Sequence, residues 1–126
     1  MIRSEGVPGG MGSQEALYII SVAARLVRLH PNTLRKYERA GFLVPSRTIG
    51  NLRLYSHEDI ARLRQIKYLV ENLGVNLAGV ELALELTQDI RELQDLIDDL
   101  SIPEIARRRL EQHLGAMLRT LGTSLE

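Results

Sequence analysis

Asn32, Lys36 and Arg39 are the side chains whose types and spacing suggest a chemical task. Separations of four and three residues put them along one side of a helix, while Leu34 and Glu38 fall along another. An amide and two cations displayed together can reach the base edges and phosphates of DNA. The pattern therefore favours a helix that enters a DNA groove.

The helix that would carry these side chains has clear start and stop signals. Pro31 suits the first helical position because its missing N–H would be unpaired there, and His30 stands at the capping position. Gly41 can adopt the left-handed conformation that ends a helix. We expect a helix of about three turns.

Another short helix is predicted just before it. Ser21 is a favourable N-cap for a helix over residues 22–29, in which Val22, Leu26 and Leu29 share one face. Two short helices joined by a tight turn form a helix-turn-helix. The apolar run at residues 17–20 is either a brief strand or a hydrophobic contact for the first helix.

Two short extended segments follow, separated by Gly50 and Asn51, which both tolerate positive φ. We call the resulting hairpin the wing. Arg47 and Arg53 alternate with apolar residues, so both are expected to point outward, towards phosphates beside a groove-bound helix.

Capping residues delimit the helices that come next. Ser56 and Asp59 carry the signature of a capping box at the start of a third helix, and Gly74 marks its end. Asn76 is placed to cap a fourth helix. Residues 101–103 interrupt that helix, and Ser101 can cap a last one.

The fourth helix carries apolar residues at alternating separations of three and four, as at the a and d positions of a coiled coil. These residues are Ala83, Leu86, Ile90, Leu93, Ile97 and Leu100. Little chain remains to cover them, so self-association into a two-fold dimer is the favoured interpretation. A helix packed on its own core shows the same spacing.

Charge is distributed unevenly along the chain, although the net charge is zero. Residues 1–70 contain 11 Lys/Arg and 5 Asp/Glu, a net charge of +6, whereas residues 71–126 contain 5 and 11, a net charge of −6. A basic half suits a polyanionic partner because each neutralised phosphate releases counterions. The cluster of arginines at residues 107–109 is instead expected to fold back on acidic side chains near residues 95–99.

Composition excludes several classes of protein. The chain contains no cysteine, so disulfides and thiolate metal sites are excluded and a reducing cytoplasm is favoured. No apolar run approaches the roughly twenty residues that span a membrane. One Phe, four Tyr and no Trp leave a core of Leu, Ile, Val and Ala, which favours a mainly α fold.

Catalysis is disfavoured. The histidines His30, His57 and His113 with Glu58 and Asp59 are the candidates for an acid–base or metal set, but His57 and Asp59 stand two residues apart at a helix start and do not share a face. No nucleophile motif or glycine-rich phosphate loop occurs, so neither a metal nor a cofactor is expected. The remaining rival is a coiled-coil protein-interaction module, in which the basic half is incidental.

Four strings of residues, in order, resemble the MerR family of transcriptional regulators: VAA at 22–24, TLRKYERAGFL at 33–43, RLYS at 53–56 and DI at 59–60. The resemblance covers roughly residues 18–100. It implies a mainly α fold, with a winged helix-turn-helix DNA-binding domain followed by a dimerising coiled-coil helix.

The resemblance also implies roles for individual residues. By position, Asn32, Thr33 and Lys36 would lie near base edges. The residues that would hold phosphates or brace the wing are Arg35, Tyr37, Arg47, Arg53 and Tyr55. Asn pairs well with adenine, and Lys with guanine.

The expected organisation has four parts. Residues 1–16 form a flexible tail, residues 17–75 the DNA-binding domain, residues 76–100 an antiparallel coiled-coil dimerisation segment, and residues 101–126 a C-terminal helix that is a possible partner dock.

Within the family, HPNTLR at 30–35 and GVNLAGV at 74–80 look like the HspR-type heat-shock repressors. That resemblance implies a bacterial, cytoplasmic, nucleoid-associated homodimer that binds inverted repeats in chaperone-operon promoters, with the chaperone DnaK as co-repressor. A MerR-type activator that distorts promoter DNA is the alternative within the family. No cysteine metal loop or large ligand domain follows the coiled coil, so no small-molecule effector is expected.

Overall fold

A computed structural model describes residues 17–123 of the chain. The predicted tail, residues 1–16, lies outside the described residues, as do residues 124–126. The chain divides between Leu63 and Arg64 into two compact units, which we call unit 1 and unit 2. This division falls upstream of the predicted boundary at residue 75, inside a helix that contributes to both units.

Unit 1 combines three strands with short helices. Its elements are β1 (Leu17–Ile19), α1 (Ile20–Val27), α2 (Pro31–Arg39), β2 (Ser46–Arg47), β3 (Arg53–Ser56) and the beginning of α3 (His57–Lys67). The strands form an antiparallel sheet in the order β1-β3-β2. Tyr18 lies opposite Tyr55, and Arg47 lies opposite Arg53. The predicted helix-turn-helix and wing are confirmed.

The start of α1 differs from the prediction. The apolar run at residues 17–20 forms β1 and leads directly into the helix, so Ile19 occupies the N-cap position and no side chain caps it. The prediction that Ser21 caps this helix is wrong. α1 ends at Val27, its C-cap Arg28 has a left-handed φ of 59°, and the Leu29 N–H donates to the Ala24 carbonyl at 3.0 Å.

The signals at both ends of α2 are confirmed. The His30 Nδ1 atom accepts from the Asn32 N–H at 2.9 Å, and Pro31 occupies the first turn. At the other end Gly41 has a φ of 83°, and the Phe42 N–H donates to the Tyr37 carbonyl at 3.0 Å. These local bonds satisfy backbone groups that a helix leaves unpaired at its termini.

The core of unit 1 fixes α2 from its apolar side. Its buried hydrophobic residues are Ala23, Ala24, Val27, Leu34, Tyr37, Phe42, Leu43, Tyr55, Ile60 and Leu63. Burial of each large side chain contributes about 1.5–3 kcal/mol. The opposite side of α2 is therefore left facing solvent in a defined orientation.

The capping box at the start of α3 is confirmed. The Ser56 N–H donates to Asp59 Oδ2 at 3.0 Å, and the Asp59 N–H donates to Ser56 Oγ at 3.1 Å. Burial raises the pKa of the Asp59 carboxyl above its usual value, although the hydrogen bonds from Ser56 oppose that change.

α3 continues into a π-helical segment (Tyr68–Asn72). The sequence analysis did not predict this segment. The Leu73 N–H donates to the Tyr68 carbonyl at 3.2 Å, a bond that spans five residues rather than four. Gly74, with a φ of 69°, then ends the helix as predicted.

Unit 2 continues with two longer helices, α4 (Leu77–Asp98) and α5 (Glu104–Thr120). The predicted cap of α4 is confirmed, since Asn76 Oδ1 accepts from the Gly79 N–H at 2.8 Å. The prediction that Ser101 caps the last helix is wrong, because Pro103 occupies the N-cap position. No helix within residues 17–123 combines the length and the apolar character needed to cross a membrane.

Half of the predicted coiled-coil positions belong to the core of the chain itself. Ile90 and Ile97 are buried with Leu114 and Leu118 of α5, and we call these four residues the α4–α5 core. Ala83 is buried as well. The prediction that these three α4 residues lie at a dimer interface is therefore corrected. For Ile90 and Ile97, α5 supplies the cover that the short remaining chain was expected to lack, and Ala83 is buried within the chain as well.

The other half of the predicted positions faces solvent. Leu86, Leu93 and Leu100 are about half exposed, and Leu82 and Leu96 accompany them. We call these five leucines the exposed α4 stripe. Spacings of three and four thus describe two apolar sides of α4, one covered within the chain and one open.

Polar groups also tie the helices of unit 2 together. Gln65, which is buried, donates through Nε2 to Thr87 Oγ1 at 2.8 Å and to the Leu121 carbonyl at 3.0 Å. Arg107 donates to the carbonyls of Ile97 and Leu100 at 2.8 and 2.6 Å, so it satisfies the C-terminal end of α4. The expected folding back of this basic cluster is confirmed for Arg107, whose Nη1 lies 3.9 Å from an Asp98 oxygen.

Candidate nucleic-acid interface

α2 separates its apolar and polar residues cleanly. Leu34 and Tyr37 are buried, whereas Asn32, Lys36 and Arg39 are exposed. The three predicted side chains thus lie together on the solvent side of a helix whose other side is fixed in the core. An amide and two cations are available there to a groove and its flanking phosphates.

Asn32 is oriented by its neighbour one turn along α2. Arg35 Nη1 donates to Asn32 Oδ1 at 2.7 Å. The amide oxygen thus already accepts one hydrogen bond, and the amide nitrogen of this exposed residue carries two further donors. Amide N–H donors match acceptor atoms on a base edge.

The two wing arginines meet on a carboxylate of α2. Arg47 Nη2 lies 2.8 Å from Glu38 Oε2, and Arg53 Nε lies 2.6 Å from Glu38 Oε1. We call these three residues the Glu38 cluster. All three side chains are at least two-thirds shielded from solvent. We expected both arginines to point outward towards phosphates. In the structure their hydrogen bonds to Glu38 turn them towards α2 instead.

The surroundings of Glu38 favour the ionised form of its carboxyl group. Burial alone would raise the pKa of Glu38, but hydrogen bonds from Arg53 and Arg47 outweigh it, so the pKa lies below its usual value. The same hydrogen bond raises the pKa of Arg53. Sequence reasoning missed Glu38 because its partners are nine and fifteen residues away.

The tip of the wing is a tight loop. The Asn51 N–H donates to the Thr48 carbonyl at 2.8 Å, and Thr48 and Leu52 exchange backbone and hydroxyl bonds at 3.0 and 3.1 Å. Asn51 adopts the left-handed conformation, with a φ of 68°. Of the two residues expected at the turn, Asn51 thus supplies the positive φ. The loop also helps to hold Arg47, because the oxygens of Asn51 accept weaker hydrogen bonds from Arg47 Nη1.

Burial separates Tyr37 and Tyr55 from the other predicted site residues. Tyr37 packs beside Phe42 with ring centroids 6.0 Å apart, and Tyr55 is fully buried. Burial raises the pKa of Tyr55, and the nearby Glu38 carboxylate adds to that effect. Neither ring is placed to touch a phosphate in this structure, because each lies in the core of unit 1.

The charge asymmetry persists in the described part of the chain. Residues 17–63 contain eight Lys/Arg and three Asp/Glu, whereas residues 64–123 contain seven and ten. Two of the three acids in the first range are engaged, Glu38 with the wing and Asp59 in the capping box. The solvent side of α2 therefore lies in a basic part of the molecule, as a polyanion partner requires.

Two of the residues considered as catalytic candidates, His57 and Asp59, make structural contacts. Asp59 is committed to the capping box, and His57 contacts Tyr18 edge to face with centroids 5.5 Å apart. Within residues 17–123 no group of three or more His, Cys, Asp or Glu side chains is arranged to hold a metal ion.

The chain matches the sequence profile described as "MerR HTH family regulatory protein" over residues 18–87. It is 50% identical over 78 residues to HspR of Streptomyces coelicolor, described as a candidate heat shock protein, and this match covers 62% of the chain and 52% of HspR. It is 32% identical over 110 residues to the transcriptional regulator GlnR of Bacillus anthracis, covering 82% and 84%. The Escherichia coli regulator MlrA is 43% identical over 70 residues, covering 55% and 28%. The matched region thus spans about half the length of HspR.

Proposed function

Because this chain belongs to the MerR family of helix-turn-helix transcriptional regulators, we propose that it represses heat-shock and chaperone genes by binding an inverted-repeat operator as a homodimer. The observation that carries the proposal is the solvent side of α2, where Asn32, Lys36 and Arg39 lie together in a basic unit. The name and 50% identity of HspR support the choice of target genes.

Within this proposal α2 enters the major groove. Asn32, Thr33 and Lys36 are assigned to base edges, and Arg39 to the phosphate backbone. Arg35 holds Asn32, as their 2.7 Å bond indicates. The wing lies beside the groove, with Arg47 and Arg53 near the flanking phosphates. Residues 17–75 form the DNA-binding domain in this assignment.

A second copy of the chain is the proposed occupant of the exposed α4 stripe. Leu86, Leu93 and Leu100 recur every seven residues, with Leu82 and Leu96 at intervening turns, which is the pattern that antiparallel helices use to pack. The dimerisation segment at residues 76–100 would bring two copies of α2 to the two halves of one operator.

DnaK is the proposed co-repressor, with residues 101–126 as its dock. Ile105, Leu110 and Met117 are exposed on α5 and offer an apolar surface to a chaperone. Under this arrangement repression weakens when unfolded clients draw the chaperone away. The arrangement rests on the likeness to the HspR-type repressors.

The proposal is tested by measuring binding of the full chain to its own upstream promoter fragment and to scrambled DNA of equal length. The measurement is repeated across a salt series, with and without DnaK. We expect tight, selective binding to the promoter that weakens steeply with salt and strengthens with DnaK. Equally weak binding to both fragments would replace the regulator with a protein-interaction module.

Transcription from the same promoter separates a repressor from the activator alternative. We expect transcription by purified RNA polymerase to fall when the protein is added and to fall further with DnaK. A rise in transcription would show an activator that distorts promoter DNA, with the family assignment unchanged.

A further inference from the structure

Glu38 occupies a position that the proposed function does not explain. It lies on the DNA-facing helix of unit 1, yet it is an acid, and an acid near phosphate opposes binding. Its two carboxylate oxygens each take one wing arginine, at 2.8 and 2.6 Å. The cluster therefore presents one net positive charge where two arginines would present two.

Hydrogen bonds also hold Arg47 and Arg53 in defined orientations, in addition to the partial neutralisation of their charge. Both terminal nitrogens of Arg47 are engaged, Nη2 with Glu38 and Nη1 with the oxygens of Asn51. Arg53 lies directly opposite Arg47 in the hairpin and donates to the same carboxylate through Nε. Two like charges at a directly paired position repel each other, and Glu38 offsets this repulsion.

A carboxylate and a phosphate accept the same hydrogen bonds from a guanidinium group. An arginine can therefore leave Glu38 for DNA with little loss, provided that a phosphate lies within reach and correctly oriented. Such an alignment requires α2 to be fully seated in its groove. On unrelated DNA, where contacts are loose, the arginines gain nothing by leaving the carboxylate.

We infer that Glu38 is a positioning residue that withholds Arg47 and Arg53 from the phosphates of unrelated DNA and yields them to the phosphates of the operator. The inference rests on the proposed DNA-binding function. Under this inference selectivity depends on an acidic residue that acts through Arg47 and Arg53 and not by contacting DNA itself.

The test compares Glu38→Gln with Glu58→Gln in the full chain. Both changes remove one negative charge from unit 1, but Glu58 is exposed and forms no ion pair within the described residues. Glutamine keeps the shape of Glu38 and one acceptor oxygen, so the fold is retained, which circular dichroism and thermal unfolding check.

We expect Glu38→Gln to bind scrambled DNA about tenfold more tightly, with a salt slope steeper by roughly 0.9 for each arginine released. Affinity for the promoter fragment should change less than about threefold, so the ratio of the two affinities falls. Glu58→Gln should leave the ratio unchanged. Glu38→Asp, which keeps the charge, should restore most of the selectivity.

Several results overturn the inference. If neither fragment binds the unchanged protein selectively, the proposed function fails and the inference fails with it. If the unchanged protein is selective but Glu38→Gln and Glu58→Gln shift both affinities equally, the inference alone fails. A loss of binding by Glu38→Gln with unchanged salt slope would assign Glu38 a purely structural role.

Arg47→Gln provides a second test that does not depend on the Glu38 variants folding. If Arg47 is withheld from unrelated DNA, its loss should weaken promoter binding about tenfold and leave scrambled-DNA binding within about twofold. Equal weakening on both fragments would contradict the inference.

Discussion

Unit 1 and unit 2 use different polar interactions. In unit 1 the Glu38 cluster is an ion pair whose side chains keep 20–33% of their surface exposed. In unit 2 the neutral pair of Gln65 and Thr87 is buried. A partly exposed ion pair exchanges partners more readily than a buried neutral pair, which is costly to open. The comparison indicates an adaptable surface in unit 1 and a fixed scaffold in unit 2.

The largest effect should come from the α4–α5 core. Ile90→Ala removes a side chain that is only 6% exposed and should lower the free energy of unfolding by about 2–5 kcal/mol. Leu93→Ala, on the exposed α4 stripe, is the matched control. Its effect should appear only as weaker self-association, measured as the concentration dependence of urea unfolding. Equal losses at all concentrations would remove the distinction between the two sides of α4.

Lys36→Ala tests whether the cations of unit 1 differ in function from those of unit 2. It should cost about 1–3 kcal/mol of promoter binding if Lys36 reads a base, or lower the salt slope by about one if it meets only phosphate. Arg91→Ala, an exposed cation of α4, should change neither quantity. Unchanged promoter binding by Lys36→Ala would remove this residue from the interface.

The buried polar pair of unit 2 should be sensitive to loss of one hydroxyl. Thr87→Val keeps the shape of the side chain but removes one partner of the Gln65 amide, so the free energy of unfolding should fall by about 1–3 kcal/mol. Thr120→Val is the control, because the Thr120 hydroxyl bonds only to the exposed backbone at Ala116. It should change stability by less than about 0.5 kcal/mol. Denaturant titration measures both, and a Thr87→Val protein as stable as its parent would argue against a fixed scaffold.

The smallest effect is the pH dependence of the Glu38 cluster. The pKa of Glu38 is lowered from 4.5, so its contribution to stability is present above that value and is lost as the pH falls through the folded-state pKa. Asp59 acts in the opposite direction, because its pKa is raised. At pH 7 Glu38→Gln should lower the free energy of unfolding by about 0.5–1 kcal/mol, and the difference should shrink as the pH falls below 4.5.

Urea unfolding of both proteins between pH 3 and 7 gives this measurement. Glu58→Gln serves as the control, since Glu58 is exposed at the start of α3. A difference between Glu38→Gln and the parent that stays constant with pH would show that shape, and not charge, accounts for the role of Glu38.

The sequence predicted best those features that depend on residues close together in the chain. The cap at His30, the stop at Gly41 and the capping box of Ser56 and Asp59 each depend on residues within a few positions of one another, and all were confirmed. The membership of the family was also readable from short strings. Ser21 failed as a cap because β1 runs directly into α1 and displaces the helix start by two residues.

Contacts between residues far apart in the sequence could not be predicted from the spacing of apolar residues. Spacings of three and four place Ile90 and Leu93 alike in a coiled-coil register, and they do not reveal that α5 covers only Ile90. The Glu38 cluster requires the pairing of Arg47 with Arg53 across the hairpin as well as the approach of α2. The π-helical segment left no signal in hydrophobic spacing.

The π-helical segment has a consequence for how the chain tolerates changes of length. A π-turn is an α-helix that has absorbed one extra residue, and each residue advances a helix by about 100°. Deletion of the exposed residue Glu71 or Asn72 would let the segment relax to ordinary α-helical bonding with Leu69 still buried. A deletion of one residue inside the regular turns of α4 would instead rotate every later side chain away from α5. The stretch from Tyr68 to Asn72 is thus a place where the helix can change length by one residue without repacking.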